Sequence, residues 1–154
     1  MSHLARPRIA ALRHACAVAV GPEEVVREAL TRFFTLGDEE GAWELFGDDL
    51  VATPPSDFPE SAEVRGKDEL RRALRLSWGT VFGDDWVSRM SLRDVIPVDD
   101  RRAVGVTDFD PSGVRSGIQI ETSPAAIYEV EEGRIVAVRM FLSGQDALRA
   151  AGIE

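Results

Sequence analysis

Residues that typically begin or end helices and strands are concentrated in one segment, residues 36–70. This segment constrains the fold more than any other part of the chain. Gly37 is typical of a helix end, and Asp38 is a good cap for the helix that follows. Residues 50–53 have the pattern of a strand, which Pro54 ends because proline has no N–H for a ladder hydrogen bond. The segment therefore predicts a helix end, a short helix, a strand, a proline-rich loop and a new helix.

Helices are predicted before this segment and strands after it. Pro22 and Glu23 favour a helix start, since proline suits the first turn and an acid there complements the helix dipole. A further helix is predicted from Gly66 to Gly83. The predicted strands are residues 86–98, 102–110, 114–130 and 134–142, followed by a short helix at 145–151.

The order of these elements indicates the fold class. Three helices before an antiparallel meander are typical of an α+β fold, with the helices packed on one face of a curved sheet. Strict alternation along the first long strand predicts one shared face for Trp86, Met90, Leu92, Ile96 and Val98.

Length and charge narrow the class of protein. A chain of 154 residues suits one domain, which we place at residues 21–154, after a basic extension at 1–20 that we predict to be disordered. The chain has a formal net charge of −9 although the extension holds three arginines and no acid. Such an acidic domain repels phosphate, so we expect no nucleic-acid partner. No apolar run reaches the roughly 20 residues of a membrane span, so we expect no membrane partner.

Every histidine and cysteine lies in the extension, as His3, His14 and Cys16. The domain therefore has no residues for zinc sites, thiol nucleophiles or histidine-dependent triads, and we expect no metal and no cofactor. Any proton chemistry must use Asp, Glu, Tyr or Arg. A single cysteine forms no internal disulfide, which favours a cytoplasmic location.

The chain resembles the nuclear transport factor two-like superfamily, and within it the SnoaL-like polyketide cyclase group. The matching pieces are LTRFFTLGDEEGAWELFGDDLVATPPSDFPE, VRGKDELRRAL and GRIVAVRMFLSGQDALRAAG, within residues 22–153. The resemblance implies three N-terminal helices on a strongly curved sheet that forms a cone with an internal pocket. It also implies a homodimer that pairs through the outer sheet face, which Ile135, Ala137 and Phe141 beside Arg139 would make apolar.

The catalytic residues of the best-known members are missing at the matching positions. Ketosteroid isomerases of this fold have a tyrosine where this chain has Leu30, and an acid where it has Ala126. The Asp–Arg–Asp set of the limonene-type epoxide hydrolases is absent, since Val106 and Met140 stand at two of its positions. An apolar oxyanion site does not stabilise an enolate, so steroid-type isomerisation is disfavoured.

Three residues remain as catalytic candidates. Asp57 lies about where ketosteroid isomerases keep their general base, and apolar neighbours would raise its pKa; alternatively it caps a solvated turn. Asp108 shares a face with Val104 and Val106 and enters the pocket if that face points inward; otherwise it is a strand-end residue. Tyr128, the only tyrosine, either donates a hydrogen bond to a ligand carbonyl or lies in the core with a satisfied hydroxyl.

Large apolar side chains are the candidates for ligand contact, although such residues are more often simple core. The predicted ligand-binding residues are Trp43, Trp78, Phe34, Phe58 and Met140.

Two functions stay open. The first is a cofactor-free enzyme of the cyclase or isomerase type, which uses carboxylate acid–base chemistry on a hydrophobic carbonyl compound. The second is a non-catalytic protein of the same fold, either a binder of small hydrophobic molecules or a structural homodimer.

Overall fold

The computed structural model describes residues 21–55, 63–79, 85–110 and 123–153. Its first helix, α1 (Pro22–Leu30), begins at a proline with acids in its first turn, as predicted. The helix runs directly into a π-helix, Thr31–Thr35. The short helix α2 (Glu39–Trp43) follows, and the carboxylate of Asp38 caps it by accepting a hydrogen bond of 3.0 Å from the Gly41 amide.

The second helical pair repeats this pattern. Helix α3 (Lys67–Ala73) continues into a second π-helix, Leu74–Trp78. A 3₁₀ helix, Trp86–Arg89, leads into the sheet, where a strand was predicted to begin at residue 86. In the described part of the chain, no helix is both long enough and apolar enough to span a membrane.

Within the described residues, six strands form one sheet in the order β2-β1-β6-β5-β4-β3. All neighbours are antiparallel except β1 and β6, which run parallel. This mainly antiparallel sheet under N-terminal helices confirms the predicted α+β class. The strands are β1 (Phe46–Thr53), β2 (Val64–Arg65), β3 (Met90–Pro97), β4 (Arg102–Phe109), β5 (Ala125–Glu131) and β6 (Arg134–Phe141).

Two β-bulges make the predicted faces of β3 and β6 wrong. The pairing of β3 with β4 shifts between Leu92 and Asp94, so Val95 is buried in the inner core while Ile96 packs on the other side of the sheet. The pairing of β5 with β6 shifts in the same way, and it turns Ile135 inward, where the side chain is 0% exposed. Ile135 therefore belongs to the inner core and not to the outer face, because each bulge inverts the alternation beyond it.

The sheet separates two apolar layers. The inner layer packs α1, α2 and their π-helix against the sheet, around Val26, Leu30 and Leu50. The outer layer is covered in part by the C-terminal helix α4 (Gly144–Ala150), whose Ala147 packs on Val104. The cavity described below lies in the inner layer.

Several predictions fall outside the described residues. They are the state of the extension 1–20, the loop residues Asp57 and Phe58, the side chain of Trp78, and the first part of the strand predicted at 114–130.

Candidate functional site

A cavity of about 90 Å³ lies between the helices and the concave side of the sheet. The helices close it on one side with apolar and aromatic groups, chiefly Leu30, Phe33, Phe34, Leu70, Leu74 and Trp86. The other walls come mainly from the strands, through Phe46, Gly105, Thr107, Ala126, Tyr128 and Val138.

Packed aromatic rings build the helical wall. Phe33 stacks on Phe34 with ring centres 5.0 Å apart and meets Trp43 edge-on at 5.8 Å. The centres of the Trp43 and Phe46 rings in turn lie 4.7 Å apart. Both phenylalanines belong to the first π-helix, a rare form that is frequent at functional sites. The wall is therefore apolar and continuous from the first π-helix to β1.

The Tyr128 hydroxyl is a polar group on the cavity wall that is available to form a hydrogen bond with a ligand. Thr107 lines the same cavity, but its hydroxyl donates a hydrogen bond of 2.8 Å to the carbonyl oxygen of Pro124. Among the described residues the Tyr128 hydroxyl has no hydrogen-bond partner, and no buried side-chain polar atom is left unsatisfied. The hydroxyl is therefore accessible from the cavity.

Enclosure also fixes the protonation of this hydroxyl. Burial raises the pKa of the Tyr128 phenol well above its ordinary value, because the phenolate would lose its hydration. The group is a neutral hydrogen-bond donor at any physiological pH. It suits a carbonyl oxygen or another uncharged acceptor.

Gly105 makes room for this tyrosine. A methyl group at Gly105 would lie 2.6 Å from Cδ1 of Leu30 and 3.0 Å from Cε1 of Tyr128. The absence of a side chain in the middle of β4 therefore leaves room for the Tyr128 ring and the Leu30 side chain. A glycine inside a predicted strand often marks such a close approach, and this signal was available in the sequence.

The structure gathers some of the predicted site residues at the cavity. Phe34, Trp43, Tyr128 and Met140 all line it, and their roles in catalysis or ligand contact stay predictions. Phe33, Thr107 and Trp86 line it as well and were not among the predicted site residues.

Asp108 lies away from the cavity. Its neighbours on alternate positions of β4, Val104 and Val106, pack in the outer layer, so the shared face points outward. The Asp108 carboxylate lies 3.5 Å from the Arg93 guanidinium and accepts a hydrogen bond of 3.4 Å from the Ser123 hydroxyl. The condition for its entry into the pocket is not met.

The described cavity walls hold no carboxylate, and this bears on the chemistry. The described part of the chain also has no group of three or more Asp, Glu, His or Cys residues placed to hold a metal ion. Proton abstraction would need a base from outside these walls, and Asp57 remains the candidate for it.

Comparison with known proteins connects this geometry to a fold. The chain matches no family model and no curated protein. A protein of unknown function with a cystatin-like fold, from Xanthomonas campestris, aligns over 88% of this chain and 100% of its own, with 16% identity and a TM-score of 0.60.

Two further solved structures also align with most of this chain. A nuclear transport factor two-like protein of unknown function from Burkholderia xenovorans aligns over 79% of this chain and 85% of its own, with 18% identity and a TM-score of 0.55. A candidate SnoaL-like polyketide cyclase from Mesorhizobium loti aligns over 77% and 96%, with 21% identity and a TM-score of 0.50. The predicted resemblance is confirmed at the level of the fold: the chain has a cystatin-like α+β fold, similar to that of these solved structures.

Proposed function

We propose that the protein binds a small apolar molecule in the cavity and that Tyr128 donates a hydrogen bond to a carbonyl oxygen of that molecule. The observation that carries this proposal is the Tyr128 hydroxyl, which has no hydrogen-bond partner in the part of the chain that the structure describes and lies in a largely apolar, aromatic space. Sites of this kind gain affinity from apolar contact, and one well-placed polar group fixes the orientation of the ligand.

The size of the cavity limits the ligand. An apolar cavity of roughly 150 Å³ is enough to bind benzene, and this one measures about 90 Å³. The space is smaller than that cavity, so it suits the end of a small molecule that extends beyond it better than a fused polyketide skeleton.

The experiment compares acetophenone with ethylbenzene, which has nearly the same shape and no carbonyl group. We expect protein-observed NMR titration to show both compounds at the cavity, with acetophenone the tighter ligand. Tyr128→Phe should weaken the binding of acetophenone by roughly two- to tenfold, the value of one net hydrogen bond, and leave the affinity for ethylbenzene unchanged. Equal loss for both ligands would contradict the carbonyl contact, and binding of neither would refute the cavity as a site.

A second candidate is a cofactor-free enzyme that moves a proton next to the carbonyl. It is favoured by the neutral donor at Tyr128, which would stabilise negative charge as it develops on the carbonyl oxygen. Asp57 would serve as the base in this mechanism. Exchange of the acetophenone methyl protons into deuterated water tests it: catalysed exchange that Asp57→Asn abolishes supports the enzyme, and exchange unchanged by Asp57→Asn excludes this mechanism.

A further inference from the structure

A second depression adjoins the cavity on its helical side. It measures about 170 Å³ and lies between α2 and the helices α3 and Leu74–Trp78. It shares Phe33, Trp43, Leu74 and Trp86 with the cavity as common walls. We call this depression the arginine groove, after Arg71 and Arg75, which line it together with Glu39 and Val87.

The two arginines lie one helical turn apart, so they project from the same side of their helix. The Arg71 guanidinium lies 5.4 Å from the centre of the Trp43 ring and 2.8 Å from the Glu40 carboxylate. Its charge is thus already balanced. Arg75 is exposed and has neither an ion pair nor a hydrogen bond within the described residues.

The groove differs from the cavity in chemistry. The described cavity walls carry no charged side chain, whereas the groove is lined by two guanidinium groups and one carboxylate. A guanidinium presents a planar fork of N–H donors that matches a carboxylate. Arg75 is placed to receive such a group from a molecule whose apolar end contacts the shared aromatic wall.

We propose that the ligand is an apolar carbonyl compound that also bears a carboxylate, and that Arg75 in the arginine groove binds this carboxylate. The inference rests on the proposed function, since it requires the molecule bound in the cavity to extend past the shared side chains into the groove. The Glu39 carboxylate repels an anion in the groove. Its removal should therefore strengthen the binding of a carboxylate, whereas removal of Arg75 should weaken it.

The experiment uses a homologous series of phenyl alkyl ketones that end in a carboxylate, with the methyl ester and the corresponding amine as matched ligands. Chain length is varied because it sets the distance from ring to charge. Binding to the whole protein is measured by calorimetry and by NMR. The variants are Arg75→Gln, Glu39→Gln and the control Arg72→Gln, an exposed arginine of α3 that is paired with Glu69 and lies outside the groove.

We expect the carboxylate ligand of the best-fitting chain length to bind more tightly than its methyl ester. Added salt should weaken the binding of the carboxylate and leave the binding of the ester unchanged. Arg75→Gln should weaken the acid roughly three- to tenfold, as expected for a partly exposed charge-assisted contact, without changing the ester. Glu39→Gln should strengthen the acid, and Arg72→Gln should change neither ligand.

Two results overturn the inference while the cavity proposal survives. In the first, esters bind at the cavity but acids bind no better, or Arg75→Gln and Arg72→Gln have equal effects. In the second, amines bind best and Glu39→Gln weakens them, which would assign a cationic ligand. If no ester or unsubstituted ketone reaches the cavity, the proposed function fails and the inference fails with it.

Discussion

At the scale of single residues, the chemistry of the site depends on one hydroxyl. Tyr128 is the only tyrosine in the chain, so its ionisation is visible in the absorbance of tyrosinate without interference. Its pKa is raised by burial above the ordinary value of 10.0. The unfolded chain therefore ionises first as pH rises, and the native phenol stays protonated over the same range.

This order gives a signed prediction for stability. Well below pH 10 the phenol is neutral in both states and its ionisation has no effect on the free energy of unfolding. As pH rises from there towards the raised native pKa, only the unfolded state loses a proton, so the protein loses stability. Urea unfolding at several alkaline pH values should show a steeper loss for the wild type than for Tyr128→Phe.

The tyrosinate titration supplies the independent check on this prediction. The midpoint in the native protein should lie above the midpoint in urea. Equal midpoints, together with equal pH slopes for wild type and variant, would mean that the phenol is hydrated and that its environment is not the apolar one described above.

At the scale of elements, a buried ion pair connects the first π-helix to its neighbours. The Arg32 Nε atom lies 2.8 Å from the Glu28 carboxylate, with side chains only 9% and 12% exposed. The same guanidinium donates a hydrogen bond of 2.9 Å to the Gly41 carbonyl oxygen. It thereby ties α1 and the π-helix to α2, the elements that hold the aromatic wall.

We predict that Arg32→Met lowers the free energy of unfolding by about 3 kcal/mol, because it leaves the Glu28 carboxylate buried and unpaired. The matched control is Arg27→Met on α1, which removes an exposed i,i+4 pair with Glu23 and a long hydrogen bond of 3.4 Å to the Val95 carbonyl oxygen, and should cost less than about 1 kcal/mol. Urea unfolding measures both. Replacement of Glu28 by leucine in the Arg32→Met background should recover much of the loss, and equal costs for the two single variants would contradict the role of burial.

Element type was predictable where local chemistry decides it. Proline and acids at Pro22–Glu24, the Asp38 cap and the glycine at Gly37 each act within a few residues, and the structure has these features where the sequence placed them. The bulges in β3 and β6 and the parallel pairing of β1 with β6 depend on contacts between distant strands. The alternation of apolar and polar residues along one strand does not encode these pairings. The side chains beyond each bulge were therefore predicted on the wrong face of the sheet.

The same limit explains the candidate site. The large aromatic groups on helices were predicted at the pocket because an apolar helical face must point to the core. Strand β4 is buried on both faces, since α1 covers one and α4 the other. The pattern of apolar residues along β4 therefore does not separate the inward set, Gly105 and Thr107, from the outward set that ends at Asp108, and Gly105 is the signal that marks the inward set.

At the scale of the whole molecule, the outer face of the sheet bears on assembly. Helix α4 covers the part of this face around Val104 and Ile127. On β6, Ala137 and Phe141 stay half-buried, and the Arg139 guanidinium lies 5.2 Å from the centre of the Phe141 ring. The predicted homodimer would cover these side chains, and apolar groups at the centre of an interface supply much of its stability.

Sedimentation velocity tests this prediction directly. We expect a dimer at micromolar concentration, and Ala137→Glu should shift it towards monomer because burial of the added carboxylate at the interface would cost free energy. The control Thr35→Glu adds the same charge at an exposed position on the helical layer and should leave the dimer intact. A wild-type protein that sediments only as monomer would refute the homodimer, and equal effects of the two variants would move the interface away from the outer face of β6. Because the cavity lies on the inner side of the sheet, Ala137→Glu should leave ketone binding unchanged, which separates assembly from ligand binding.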